Sequence, residues 1–195
     1  MGTHSPRLDV FSVNNFIDPQ VCDELRAEAN QSVSVPAQVT KSKGRVDIDM
    51  RRTHCLKVSP RTEQQIEAYF QELKPQLETY YDIRVSGFEK FQFLLYREGD
   101  FYKRHADKND KVDSPPYIKA RLISVVIFLN DESQRDELDS YTGGTLVIWN
   151  HRDSQKIGFR IKGETGKLIA FPSDLIHEVE PVQSGQRYSI VNWFF

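Results

Sequence analysis

The residues of this sequence best placed to do chemistry are two histidines and an aspartate. His105 and Asp107 stand one residue apart in "GDFYKRHADKND", and His177 stands far downstream in "FPSDLIHEV". Side chains two residues apart in an extended segment share a face, so this imidazole and this carboxylate can aim at one point. Glu178 points to the face opposite His177, which leaves that imidazole in an apolar strand. Each piece alone has an ordinary reading, a solvated loop for the first and a satisfied core histidine for the second. Together they make two neutral imidazoles and one carboxylate. That donor set occupies one face of an octahedral metal and leaves three positions open, as non-haem Fe(II) sites require. A closed zinc shell would draw on cysteine, and Cys22 and Cys55 offer no such spacing.

A fourth residue bears on what would fill the open positions. In "SGQRYSIVNWFF", Arg187, Ser189, Val191 and Trp193 share one strand face, and Tyr188, Ile190, Asn192 and Phe194 share the other. Both faces are apolar enough to be buried, which makes Arg187 a buried cation in need of an anion. A structural carboxylate such as Glu180 is one candidate partner. A bound dicarboxylic acid is another, because a guanidinium grips a carboxylate with two prongs. The short "QSG" turn is expected to set the strand of His177 beside that of Arg187, with the metal and the cation on one pocket wall.

These side chains need a scaffold, and the sequence supplies signals for one. "FIDPQVCDELRAEANQS" reads as a helix capped by Asp18, with Pro19 at its first position and Val21, Leu25 and Ala29 at spacing four. Residues 33–58 read as loop, then strand from about Thr53. A second helix follows Ser59-Pro60, with Ile66, Tyr69, Phe70, Leu73 and Leu77 on one face and a kink or restart expected at Pro75. From Val85 onward short strand-like runs dominate, such as "FEKFQFLLY", "RLISVVIFLN", "GGTLVIWN" and "GKLIAFP", each bounded by turn residues. The acidic stretch 130–142, "NDESQRDELDSYT", reads as a mobile connection or a lid.

The 195 residues suit one domain, 1–195, with helical support over 1–84 and a strand-rich core over 85–195. A net charge of -2 argues against a general nucleic-acid or anionic-membrane binder. Two lone cysteines suit a reducing, cytoplasmic setting. No apolar run is long enough for a membrane span, and the start "MGTHSPRLDV" lacks a signal-peptide core.

The order H-x-D, then G-G-x-L, then a distal His, then R-x-S-x-x-x-W resembles the Fe(II)/2-oxoglutarate-dependent dioxygenases, and most nearly their prolyl-4-hydroxylase-like branch. The segments that carry it are "LLYREGDFYKRHAD", "RLISVVIFLND", "YTGGTLVIW" and "GKLIAFPSDLIHEVEPVQSGQRYSIVNWF". They span residues 94 to 194 in the family's order. The resemblance implies an α+β fold, a double-stranded β-helix (a jelly-roll or cupin-like barrel) flanked by N-terminal helices, with the metal at its open end.

It also implies roles. His105, Asp107 and His177 match the iron ligands, and Arg187 matches the basic residue that holds the far carboxylate of 2-oxoglutarate. The branch often has lysine there. Tyr96 matches a tyrosine that hydrogen-bonds the cosubstrate, with an ordinary strand aromatic as the alternative. Ser189 and Ser124 have inward parity and are candidates for a further hydrogen bond to it. Leu146, Val126 and Phe128 would line the apolar part. Trp193 matches a tryptophan deep in the site, or is core packing. Arg121 matches a rim residue that touches substrate, or makes a surface salt bridge. Tyr102, with Lys103, Arg104, Lys108 and Tyr117, flanks the metal motif and would border an entrance groove, or the charged ones among them form a solvated face. His54 and His151 match nothing.

The implied cofactors are Fe(II), 2-oxoglutarate and O2, with ascorbate as an optional reductant and succinate and CO2 as products. The implied substrate is a prolyl residue of a peptide or protein. Free amino acids and other small molecules stay open. Nucleic acid is disfavoured, because no second arginine follows Arg187 in "YSIVNWFF". Two rivals remain: a cupin-type metalloprotein that does without 2-oxoglutarate, and a binding module that keeps the barrel without turnover.

Overall fold

Both long helices start where the sequence caps them. In the computed structural model, helix α1 (Pro19–Asn30) opens with the Gln20 N–H donating to the Asp18 carboxylate at 2.8 Å. Its buried stripe is Cys22, Leu25 and Ala29. Helix α2 (Pro60–Tyr81) opens with the Thr62 N–H donating to Ser59 Oγ at 3.3 Å and closes at Asp82, whose φ of 52° is left-handed. The expected restart at Pro75 does not occur, and α2 runs through it. Pro75 and Gln71 both face solvent, so the carbonyl deprived of its intrahelical donor is left to water. The structure describes residues 9–32, 34–37, 47–135, 137–149 and 158–195, so His4 and His151 lie outside the described residues.

The strands are β1 (Phe11–Val13), β2 (Ser34–Pro36), β3 (Arg51–Arg52), β4 (His54–Leu56), β5 (Gln92–Tyr96), β6 (Phe101–His105), β7 (Ile123–Phe128) and β8 (Tyr141–Gly143). They continue with β9 (Leu146–Trp149), β10 (Gly158–Ile161), β11 (Leu168–Pro172), β12 (Ile176–Val179), β13 (Val182–Gly185) and β14 (Arg187–Phe194), and a short helix α3 (Pro116–Ala120) precedes β7. Seven form one sheet in the order β1-β11-β7-β14-β5-β4-β2, five form a second in the order β10-β9-β12-β6-β3, and β13 pairs with β8. Every pairing is antiparallel, and the two larger sheets make the double-stranded β-helix that the sequence implies.

Two expectations are corrected here. Residues before 85 supply more than helical support: β1, β2 and β4 extend the seven-stranded sheet, and β3 edges the other. Open strand edges carry unpaired N–H and C=O groups, and these N-terminal strands cover them. Nor do the strands of His177 and Arg187 lie side by side. β12 pairs with β6 and β9, whereas β14 pairs with β5 and β7 in the other sheet. The intervening β13 pairs with neither of them but with β8, and so carries the chain from one sheet to the other. The turn after it is tight: Gly185 has φ of 75°, and a Cβ there would meet the Ser140 carbonyl oxygen at 2.4 Å.

The seven-stranded sheet is buried on both faces, which is why β7 and β14 read as nearly continuous apolar runs. Ile123, Val125, Ile127, Tyr188, Ile190 and Phe194 belong to the core on the helix side. Ile66, Phe70, Leu73 and Leu77 of α2 belong to the same core and are 0% exposed. Burial of such side chains is worth roughly 2 kcal/mol each in transfer free energy. The Phe70 ring stacks on Phe194 at 5.7 Å. This layer fixes the sheet from behind and leaves its other face to the site.

Several described residues of the segment 130–142 are tied down, and none of the described ones lines the site recess. The Asn130 side chain donates to the carbonyls of Asp139 and Gln186 and accepts from the Tyr188 N–H. Glu132 bridges to Tyr141 and accepts from Thr145 Oγ1 at 2.5 Å. Glu137 to Ser140 border a separate depression with Arg26 and Asn30 of α1. No described helix is long and apolar enough to cross a membrane.

Candidate metal centre

His105 and His177 stand directly opposite each other on the paired strands β6 and β12, with ring centroids 4.2 Å apart. Asp107 lies just beyond the end of β6. One carboxylate oxygen is 3.6 Å from His105 Nε2 and the other is 3.3 Å from His177 Nε2. One ligand atom from each of the three can be chosen so that all lie within 4.8 Å of one another, close enough to share one ion.

Their surroundings prepare them for it. His105 Nδ1 lies 2.8 Å from the Lys103 carbonyl, and His177 Nδ1 lies 3.0 Å from the Leu175 carbonyl. A carbonyl only accepts, so each neutral ring keeps its proton on Nδ1 and turns the Nε2 lone pair to the site. Burial, then the neighbouring His177, pushes the His105 pKa down to about 4. Burial also opposes charge on His177, but the Asp107 carboxylate outweighs it and raises that group. Burial would likewise raise Asp107, yet the two imidazoles hold it well below the usual carboxylate range.

Asp107 is outside any strand, so the pleat does not aim it. The Ser124 hydroxyl donates to its Oδ2 at 2.7 Å, and Ser173 Oγ lies 2.9 Å from Ser124 Oγ. Arg121 Nη1 donates to its backbone carbonyl at 3.3 Å, and the Lys108 N–H donates to the Ser173 carbonyl at 2.8 Å. Ser124, expected to hydrogen-bond a cosubstrate, here gives its proton to the Asp107 carboxylate. Outer partners of this kind are worth about 10- to 100-fold in metal affinity. Ser124→Ala is expected to weaken Mn(II) binding within that range while leaving the melting temperature nearly unchanged, as read by calorimetric titration and thermal unfolding. Unchanged affinity would show that the hydroxyl does not orient the carboxylate.

The three ligand candidates line a recess between the two sheets. Arg187 lines the opposite wall, is 1% exposed, and donates from Nη1 to Ser189 Oγ at 2.9 Å. Its Nε is buried without a partner. Glu180, the structural alternative, instead pairs with Arg160 through both oxygens. Tyr96 is the cross-strand partner of Arg187 and places its ring 5.0 Å beneath the guanidinium. Phe128 approaches from another side at 5.2 Å. Val126 and Leu146 line the recess. A buried cation with an unused donor, facing two imidazoles and a carboxylate, fits a metal together with an anionic ligand.

Arg121, Trp193 and Tyr102 also line the recess, in arrangements the sequence did not disclose. Arg121 is no surface residue. It grips Glu89 with two prongs at 2.6 and 2.8 Å and lies 3.6 Å over the Trp193 ring. Its charge is thus engaged in an ion pair, the second of the two readings the sequence offered, while its side chain still lines the recess. Tyr102 stacks flat on His105 at 3.5 Å. Strict alternation would put residues 102 and 105 on opposite faces. A bulge opposes three steps of β6 to two of β12, so both face inward. Arg104 is on the outer surface over Trp149 at 3.4 Å. Arg51 and Gln92 line the recess and were not anticipated; no spacing in "DIDMRRTHC" marks Arg51. Glu89 and Ser173 were also missed, although a lone acid in an apolar run is a signal for a buried cation.

The chain is similar to known proteins. A PKHD-type hydroxylase of Shewanella oneidensis is 35% identical over 101 residues, covering 52% of this chain and 40% of that protein. One of Synechococcus elongatus matches at the same identity and coverage. The chain therefore spans well under two thirds of these curated relatives. Among solved structures, a Pseudomonas putida prolyl-4-hydroxylase superposes with a TM-score of 0.74 at 24% identity, over 96% of this chain and 92% of that one. A prolyl hydroxylase from Trichoplax adhaerens, solved with a hypoxia inducible factor oxygen degradation domain peptide fragment, gives 0.72 at 21% identity, over 96% and 83%. These two likenesses speak for the fold. The sequence profile of the 2OG-Fe(II) oxygenase superfamily matches residues 91–195, more than half of the sequence and the part that holds all three metal-ligand candidates and Arg187, and the chain belongs to that superfamily.

Proposed function

We propose that the protein is a Fe(II)- and 2-oxoglutarate-dependent hydroxylase acting on an unactivated C–H bond, that of a prolyl residue in a peptide or protein. The observation that carries this reading is Arg187: a fully buried guanidinium with an unused donor, facing the metal triad across one recess. Membership of the superfamily supports the cosubstrate. The PKHD-type hydroxylases and the prolyl hydroxylases among the similar proteins support the substrate class.

Nε2 of His105, Nε2 of His177 and a carboxylate oxygen of Asp107 would hold the metal. Arg187, with Ser189 fixing one of its prongs, would hold the remote carboxylate of 2-oxoglutarate. When bound, Fe(II) and 2-oxoglutarate supply the oxidising chemistry, in which O2 is consumed, succinate and CO2 leave, and one oxygen atom reaches the substrate. The chain does the rest. Lys103 and Leu175 keep the lone pairs of the imidazoles turned inward, and Ser124 aims the carboxylate. Val126, Leu146 and Val179 keep water from the recess walls. The rings of Tyr102 and Trp193 offer apolar surface against which a pyrrolidine ring can pack.

The test is a screen of proline-containing peptides, with free amino acids as a parallel arm, given Fe(II), 2-oxoglutarate and O2. The expected result is a gain of one oxygen atom by a peptide, with succinate formed only when all components are present. Oxidation confined to the amino-acid arm would move the substrate class. No succinate in either arm, together with no binding of 2-oxoglutarate, would sink the reading.

A further inference from the structure

Few buried side-chain polar atoms lack a hydrogen bond among the described residues. Two of them, Arg187 Nε and the Tyr141 hydroxyl, belong to side chains that pack together. Tyr141 is 0% exposed and comes from β8, on the strand pair that carries the chain between the sheets. Gly144 is where the two meet. A Cβ there would lie 3.1 Å from Arg187 Cδ, 3.3 Å from Tyr141 Cε2 and 2.9 Å from Val182 Cγ2. Beyond it the phenol passes beneath Gly163, where a Cβ would come within 2.0 Å of the hydroxyl. Two glycines therefore make room for this one ring.

The reason for a tyrosine there is not apolar packing, which phenylalanine would satisfy without burying a hydroxyl. Burial pushes the Tyr141 pKa up to about 12, and the Arg187 charge beside it is the foremost influence in the opposite direction. The two side chains meet at Gly144, and each keeps a buried polar atom that no hydrogen bond has claimed. The other neighbours of Arg187 leave this side open. Ser189 takes Nη1, and Tyr96 and Phe128 offer ring faces.

We propose that Tyr141 is a positioning residue for the carboxylate subsite, its buried hydroxyl holding the Arg187 guanidinium in the orientation that receives a dicarboxylic 2-oxo acid. The inference rests on the function proposed above and adds to it a residue drawn from outside the recess wall. Neither the metal triad nor the R-x-S pattern points to Tyr141. Its hydroxyl acts only through Arg187, so it should matter for ligands that reach Arg187 and for no others.

Tyr141→Phe removes one oxygen atom and keeps the ring. Binding of 2-oxoglutarate and of oxalate to the Mn(II)-loaded full chain would be measured by titration calorimetry. Oxalate chelates a metal but has no distal carboxylate. The expected result is a loss of about tenfold in 2-oxoglutarate affinity, at or below what a direct hydrogen bond to a charged group is worth, because the hydroxyl acts on the ligand only through Arg187. Oxalate affinity, Mn(II) affinity and the melting temperature should hold. Equal 2-oxoglutarate affinity in the variant would overturn the inference, and so would a parallel loss for oxalate, which would mark a general structural role. If the unaltered protein itself failed to bind 2-oxoglutarate, the proposed function would fall first and the role of Tyr141 with it.

Discussion

Replacing Asp107 by Ala should remove metal binding and turnover together while the protein stays folded. Asp107 is the only carboxylate among the described residues that line the recess, so the substitution leaves two neutral imidazoles to hold a dication. Loss of a partner that merely orients a ligand reduces affinity by about 10- to 100-fold. Loss of the ligand itself should exceed the upper end of that range. The fold should tolerate the change, because the carboxylate sits in a loop beyond β6 and its hydrogen bonds run to the site: Ser124 on one oxygen, the imidazoles beside both. Titration with Mn(II), followed by calorimetry, and a thermal unfolding curve of the metal-free protein read the two halves separately. Metal affinity equal to that of the unaltered protein would mean the triad is not the metal centre.

Arg187→Met should weaken 2-oxoglutarate binding by about 30- to 5000-fold, the range for truncating one side of a buried, hydrogen-bonded charge pair. Mn(II) affinity should be unchanged, because no metal-ligand candidate touches Arg187. The same substitution should make the ligand-free protein more stable. Arg187 is 1% exposed, and among the described residues it makes no ion pair; Ser189 is its hydrogen-bonded partner. Its charge is therefore buried without an anionic partner among the described residues until a ligand arrives. Methionine fills a similar volume without that penalty, and exchanges of this kind stabilise by about 1–4 kcal/mol. For a chain of this size each kcal/mol moves the melting temperature by about 2–4 °C. A structural arginine would behave in the opposite way, with lower stability and unaltered ligand binding. The paired measurement thus separates a residue kept for a ligand from one kept for the fold.

How legible the site was depended on how locally each side chain is positioned. Where one strand decides the direction of a side chain, parity in the sequence was enough. Arg187 and Ser189 do share the inward face of β14, and Glu178 does point away from His177. Where two strands decide it, parity failed. Tyr102 and His105 face the same way because of a bulge against β12 that nothing in "FYKRH" announces. Ser124 had the inward parity, but its hydrogen bond to Asp107 was not legible, since that distance is set by how a loop folds back over β7. Arg121 could be read as a rim residue or a salt-bridge partner, and the sequence did not choose between them because Glu89 lies in a separate part of the chain.

By itself the sequence determined the secondary-structure periodicity, the helix caps, the donor types of the metal set and the need of Arg187 for an anion. Each of these follows from the chemistry of single residues and their near neighbours. Only the tertiary structure decided that His177 and Arg187 stand on different sheets, that the described residues of the segment 130–142 stay out of the recess lining, and that Tyr141 lies against Arg187. Those relations depend on where the chain crosses from sheet to sheet. That crossing is set by the closure of the barrel as a whole, to which no local stretch of sequence corresponds.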